Sequence, residues 1–241
     1  MKKYNLILIT MLTIALFFTA CSNSDNDSAE IASGTTGSLA WRLTENGTLT
    51  ISGNGAVPNY DAFSPWYSHR EIIKKVIINN GITSIGDCVF SHYENLISVT
   101  IPNSVTSIKY FAFYGCKNLK SIIIPNSVES IDESAFEHCS SLSSIIIPIG
   151  VEYIGESAFS RCIGLTSITI NGETNIEHLA FSGCSGLTEI TIKATVPPNL
   201  HPTSFYNVSR SVPVYVPQTS LQVYKDHSIW GMFTNIQGKT F

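Results

Sequence analysis

IPNSVTSIKYFAFYGCKNLKSII, residues 101–123, is followed without a break by IPNSVESIDESAFEHCSSLSSII, residues 124–146. The two stretches repeat one pattern at a spacing of 23 residues, and the pattern extends both ways. INNGITSIGDCVFSHYENLISVT precedes it from Ile78, and IPIGVEYIGESAFSRCIGLTSIT follows from Ile147. A shorter unit, INGETNIEHLAFSGCSGLTEIT, closes the series from Ile170. Such a period marks a solenoid, in which no single coil can shield its own apolar residues and stacked coils share one core.

The columns of the alignment say what that core contains. Phe90, Phe113, Phe136, Phe159 and Phe181 form one ladder, and Leu96, Leu119, Leu142, Leu165 and Leu187 another. Ile85, Ile108, Ile131, Ile154 and Ile176 form a third, with Ala112, Ala135, Ala158 and Ala180 at a tight corner. Within a unit, Leu142-x-x-Ile145-x-Ile147 has the spacing of a half-buried strand. Pro102, Pro125 and Pro148 end that strand, because proline has no N–H to donate to a ladder. A second extended piece, such as Val105–Ile108, crosses the next side, and Ala135–Cys139 is expected as a tight corner of up to one helical turn. With rungs ~4.8 Å apart, five units predict a rod about 20–25 Å long.

The pattern C-x-x-L-x-S-I-x-I-P-x-x-V-x-x-I-x-x-x-A-F resembles the BspA-type leucine-rich repeat of bacterial surface proteins, and the likeness covers Ile78 to Thr191. The stretches GTLTISG at 47–53 and VPVYVP at 212–217 are similar to the ends of such proteins. The resemblance implies a right-handed, β-rich leucine-rich-repeat solenoid with a parallel sheet on one face and short helical or 3-10 corners. It also implies a role in adhesion and binding of host proteins.

Flanking segments are expected to cap the array. Leu39–Leu43 and Thr48–Ile51 alternate around Glu45-Asn46-Gly47, a β-hairpin signal. Trp41, Phe63 and Trp66 supply apolar lids at this end. At the other, Val212–Val216 reads as a strand and Ser220–Phe233 as a short helix burying Leu221, Tyr224 and Trp230. The expected organisation is a leader over 1–20, a tether over 21–37, an N-terminal cap over 38–77, five repeats over 78–191 and a C-terminal cap over 192–241. The leader has Lys2-Lys3 followed by an apolar run from Leu6 to Phe18. That run is shorter than the about 20 apolar residues of a membrane span and suits a secretory signal. It ends in Phe18-Thr19-Ala20-Cys21, which resembles a bacterial lipobox with Phe18 where leucine is usual, and so implies acylation of Cys21. The tether is small, polar and free of aromatics, a composition that buries too little to fold. The expected location is the outer membrane and cell surface, with membrane contact only through this anchor.

The chain has 241 residues, 13% of them charged, with a formal net charge of −4. No basic field exists to neutralise nucleic-acid phosphates. Cys116, Cys139, Cys162 and Cys184 share one column. A linear column, whose ends lie ~14 Å apart at the rung spacing, cannot converge on a tetrahedral zinc. A disulfide between adjacent rungs fits the usual Cα spacing, but the thiols point the same way, and free buried thiols are expected. Cys88 falls outside that column, and the six histidines give no constellation. Phosphate-loop, nucleophile-elbow, metalloprotease and EF-hand patterns are missing. The expectation is a protein without catalytic residues, metal or cofactor.

What remains is a surface. Outward strand positions form one column through Ser98, Ser121, Ser144, Ser167 and Glu189, and another through Thr100, Ile123, Ile146, Thr169 and Thr191. Exposed threonines are ordinary in strands. Paired exposed isoleucines in a hydroxyl field are less so, and they point to a protein- or peptide-binding face at Ser121, Ile123, Ser144, Ile146, Ser167 and Thr169. The expected partner is a host or bacterial surface protein met by a monomer. A carbohydrate-capturing face calls instead for exposed aromatics on the sheet, and the repeats offer none. A structural or self-associating surface component is the third class.

Overall fold

A computed structural model describes residues 28–61 and 63–241; the expected leader and Cys21 lie outside them. The chain opens with β1 (Glu30–Thr36), β2 (Leu39–Thr44) and β3 (Thr48–Gly53), joined antiparallel in that order. The hairpin around Glu45–Gly47 is as expected, but β1 corrects the tether assigned to 21–37. Polar composition misled there because an edge strand needs only backbone pairing to be held. Gly34 adds to this: the Trp41 ring lies against it, and a Cβ would come within 2.9 Å of Trp41 Nε1.

From β3 onward every strand is parallel to the last. On one side β3 pairs with Lys75–Ile78, which pairs with Ser98–Thr100 and then with Ser121–Ile122. The series continues through Ser144–Ile147, Ser167–Ile170, Glu189–Ile192, Val214–Pro217 and Ile236–Lys239. The second side carries shorter rungs, from Gly55–Ala56 and Ile82–Ile85 to Asn175–Ile176. The described residues thus supply nine parallel rungs on the first side rather than the five repeats read from sequence, and the rod is roughly 40 Å long at ~4.8 Å per rung. Residues 38–77 and 192–241 are less lids than degenerate coils of the same solenoid.

One stack of aromatic rings runs through all of it. Trp66 lies 6.1 Å from Phe90, and the sequence-expected phenylalanines follow at centroid spacings of 5.1–5.3 Å with interplanar angles of 16° or less. Phe205 extends the stack 5.2 Å beyond Phe181, and Trp230 and Phe233 close it. Tyr224 and Trp230 are buried and Leu221 half-buried, on a helix α1 (Leu221–Asp226) and a following 3-10 turn. The polar ends of those two rings are satisfied: the Tyr224 hydroxyl donates to Ala194 O at 2.8 Å and Trp230 Nε1 to Pro198 O at 2.9 Å. At the other end Trp41 and Trp66 are buried 6.0 Å apart. Phe63 is no lid: it is 63% exposed and lies against Tyr67 on the surface.

The third side is a chain of turns, a tight corner over Ala135–Cys139 as expected but not a helical one. Ser134 and His138 take left-handed backbone (φ 53° and 63°), as do Cys88, Phe111, Ser157, Arg161 and Leu179 at equivalent points. This conformation turns N–H groups along the solenoid axis. Ser134, Phe136 and His138 donate to Glu156, Ala158 and Ser160 of the next coil at 2.7–2.9 Å. A helix would spend those donors within the coil, so the turns convert a corner into a further rung-to-rung ladder.

The cysteine column completes the corner. Cys116, Cys139, Cys162 and Cys184 are free and buried. Their thiols donate to the carbonyls of Phe90, Phe113, Phe136 and Phe159, one coil back, at 3.1–3.3 Å. Each carbonyl also accepts one in-coil N–H, so the thiol takes its second lone pair. In the first repeat Tyr93 occupies this place, its hydroxyl 2.8 Å from Ser64 Oγ.

Candidate binding face

The first side of the solenoid is one continuous field of two outward rows. Inward positions are committed: Val99, Ile122, Ile145, Ile168 and Ile190 are buried. In one row, Thr48 stands opposite Lys75, Lys75 opposite Ser98 and Ser98 opposite Ser121; further along, Ser144 stands opposite Ser167 and Ser167 opposite Glu189. In the other, Arg42, Thr50, Ile77 and Thr100 are successive cross-strand neighbours. Beyond them Ile146, Thr169, Thr191, Tyr215 and Gln237 continue the row.

The six expected contact residues fall on this face. Ser121 and Ser144 are exposed and Ser167 and Thr169 half-buried. Ile123 is 82% exposed and Ile146 58%, although isoleucine is among the residues most often inside. The two occupy adjacent coils, where the strand ladder is interrupted between Ser121–Ile122 and Ser144–Ile147. The pair therefore flanks the seam between two sheet segments, with hydroxyls on either side.

Three features escaped the sequence reading. Tyr215 stands on the face, because Val214–Pro217 joins the sheet, and the Lys239 ammonium lies 5.0 Å over one side of its ring. His178 and His201 do meet, both ring Nδ1 atoms within 2.8 Å of the Thr203 hydroxyl. The Tyr114 ring spans His92 and His138 at 5.1 and 5.6 Å. Spacing hid the first and second because loop lengths change after Thr191. The third was hidden because Gly115 stands between the two histidines in their repeat column, and the ring that bridges them belongs to Tyr114, one residue outside that column.

Burial pushes the Cys116, Cys139, Cys162 and Cys184 thiols up, Cys184 to about 12, so none is a thiolate at neutral pH. Cys88 is also raised, by partial burial and then by Asp87 and Asp61. Among the described residues no group of histidine, cysteine or carboxylate side chains is placed to hold a metal ion, and no helix is long and apolar enough to cross a membrane.

The profile of the BspA type leucine rich repeat region matches residues 64–188 and 171–229 in six copies. The chain belongs to this family. The matched stretch begins ahead of Ile78 and runs past Thr191, as the extra rungs do. Among solved structures, the pneumococcal vaccine antigen PcpA superposes with a TM-score of 0.53 at 22% identity, over 79% of this chain and 51% of that one. A leucine-rich repeat protein from Bacteroides ovatus matches at 23% identity, TM-score 0.48, over 78% of this chain and 56% of that one. A leucine-rich repeat protein of T. pallidum matches at 22% identity, TM-score 0.44, over 63% and 67%. The likeness to PcpA shows the fold alone, and this chain spans little more than half the length of PcpA and the Bacteroides protein. A comparison with curated protein sequences found no match. No enzymatic family is indicated.

Proposed function

We propose that this leucine-rich-repeat protein is a non-catalytic binding module of the bacterial cell surface, held there by an acylated Cys21, and that it engages a protein or peptide partner through its strand face. The observation that carries the reading is the pair Ile123 and Ile146, exposed side by side in a field of serine and threonine. Exposed apolar pairs rimmed by small polar groups suit desolvation by a partner, with the hydroxyls as adaptable hydrogen-bonding neighbours. Glycan capture fits less well, since among the described residues the face carries a single aromatic ring, Tyr215, and the Lys239 ammonium lies against it. The test is a paired array of glycans and of surface and extracellular-matrix proteins, probed with the full chain and with Ile123→Asp/Ile146→Asp. Binding to a protein spot that the double variant loses supports the reading. Binding to glycans alone, or protein binding that the double variant retains, overturns it.

A further inference from the structure

We propose that the N-terminal end of the strand face holds a carboxylate of an extended acidic peptide, whose apolar residues lie over Ile123 and Ile146. This rests on the strand-face reading above and adds the chemistry of the partner.

A pocket of about 430 Å³ opens where the hairpin meets the first parallel rung, lined by Arg42, Asn46, Thr48, Thr50, Lys75 and Ile77. All but Asn46, which sits in the hairpin turn, are the first members of the two outward rows, so the pocket lies at the head of the rows in which Ile123 and Ile146 stand further along. The amide oxygen of the hairpin turn is engaged. Asn46 Oδ1 accepts the Thr44 hydroxyl at 2.8 Å and the Thr48 N–H at 3.0 Å, and the Thr44 hydroxyl also reaches Thr48 O at 3.1 Å. The donors are left over. Lys75 forms no ion pair among the described residues, and Arg42 uses its Nε on Glu30 at 2.9 Å while the side chain stays two-fifths exposed. Two cations against one carboxylate, with hydroxyls and an amide NH₂ between them, make a site for an anion.

The row fixes what carries the anion. Thr50, Ile77 and Thr100 lead to the coil of Ile123, three rungs or ~14 Å away, a distance spanned by about four residues of extended chain. A free inorganic anion leaves Ile77, Ile123 and Ile146 uncovered. A peptide with a carboxylate four residues ahead of an apolar run fills both places.

The experiment is fluorescence anisotropy of the full chain with two labelled peptides, Glu-Glu-Ser-Thr-Ser-Leu-Val-Leu and its Gln-Gln counterpart. The acidic probe is expected to bind at least about tenfold more tightly at low ionic strength, and salt is expected to erode the advantage. Arg42→Gln with Lys75→Gln should abolish that advantage and leave the amide probe's affinity unchanged, which also reports that the variant is folded. Equal affinity for the two probes, no binding of either, or an advantage that survives in the double variant overturns the proposal. Acidic binding that emerges only after Asp25→Asn with Asp27→Asn assigns the pocket to the chain's own acidic segment and overturns it too. Equal binding of both probes, lost in Ile123→Asp/Ile146→Asp, leaves the strand-face reading standing while this inference falls.

Discussion

Replacing Phe136 by leucine separates ring stacking from simple burial. Phe136 is buried completely and lies between Phe113 at 5.2 Å and Phe159 at 5.1 Å, within 7° of parallel to both. Aromatic pairs are worth about 0.5–1.5 kcal/mol beyond their buried area, so two lost pairs cost about 1–3 kcal/mol. Leucine keeps most of the apolar volume, whereas Phe136→Ala adds a cavity and should cost about 3–5 kcal/mol. Both follow from equilibrium urea unfolding monitored by far-ultraviolet circular dichroism, compared at unchanged slope. A Phe113→Leu/Phe136→Leu double variant should be less destabilised than the sum of the singles, because one stacked pair is shared. If Phe136→Leu lies within about 0.5 kcal/mol of the parent, the rings are ordinary core residues and the continuous stack contributes nothing of its own.

Three other outcomes are expected. The four ladder thiols have pKa values raised by burial, so the fold holds them neutral while the unfolded chain ionises them near the ordinary value of 9.0. Their contribution is intact below pH 9 and lost as pH rises beyond it, so the urea midpoint should fall from pH 8 to pH 10, and less steeply when all four are alanine. A midpoint with equal pH dependence in the two proteins refutes this. In the native state at pH 8, iodoacetamide should modify Cys88 ahead of the four ladder thiols, all of which should react after denaturation; the readout is mass spectrometry of peptides. Ile123→Asp/Ile146→Asp should change stability by no more than about 0.5 kcal/mol, since both side chains are exposed, and a large loss in calorimetry means the pair belongs to the core.

The repeats were legible because a solenoid writes its core in register. Every column read from Phe90 to Leu187 is buried, and the isoleucine pair is exposed, as alternation along a strand requires. The ends were not legible because their columns are degenerate. Ser204, Phe205 and Val208 stand where the repeats have alanine, phenylalanine and cysteine, and Trp66 stands where they have phenylalanine. Both fall 24 residues from the nearest ladder phenylalanine, which conceals the match. Ser204 replaces alanine at no cost of a stranded hydroxyl, because its Oγ reaches the carbonyls of Ile176, Glu177 and His201 at 2.8–3.1 Å. The strand β1 and the place of Tyr215 depend on which backbone each strand meets, and no local pattern encodes that. The donor-rich pocket at Arg42 and Lys75 was hidden for the same reason, since it exists only once β2, β3 and Lys75–Ile78 lie side by side.

The most direct measurement is hydroxyl-radical footprinting of the full chain, free and bound to a protein selected on the array, read residue by residue by mass spectrometry. Ile123 and Ile146 are the reporters, and Ile149 and Ile163, 72% and 55% exposed but off the strand face, are internal controls. Binding is expected to protect Ile123 and Ile146 and to leave Ile149 and Ile163 as reactive as before. Protection of Ile149 or Ile163 with Ile123 and Ile146 unchanged places the partner elsewhere on the solenoid and contradicts the strand-face reading.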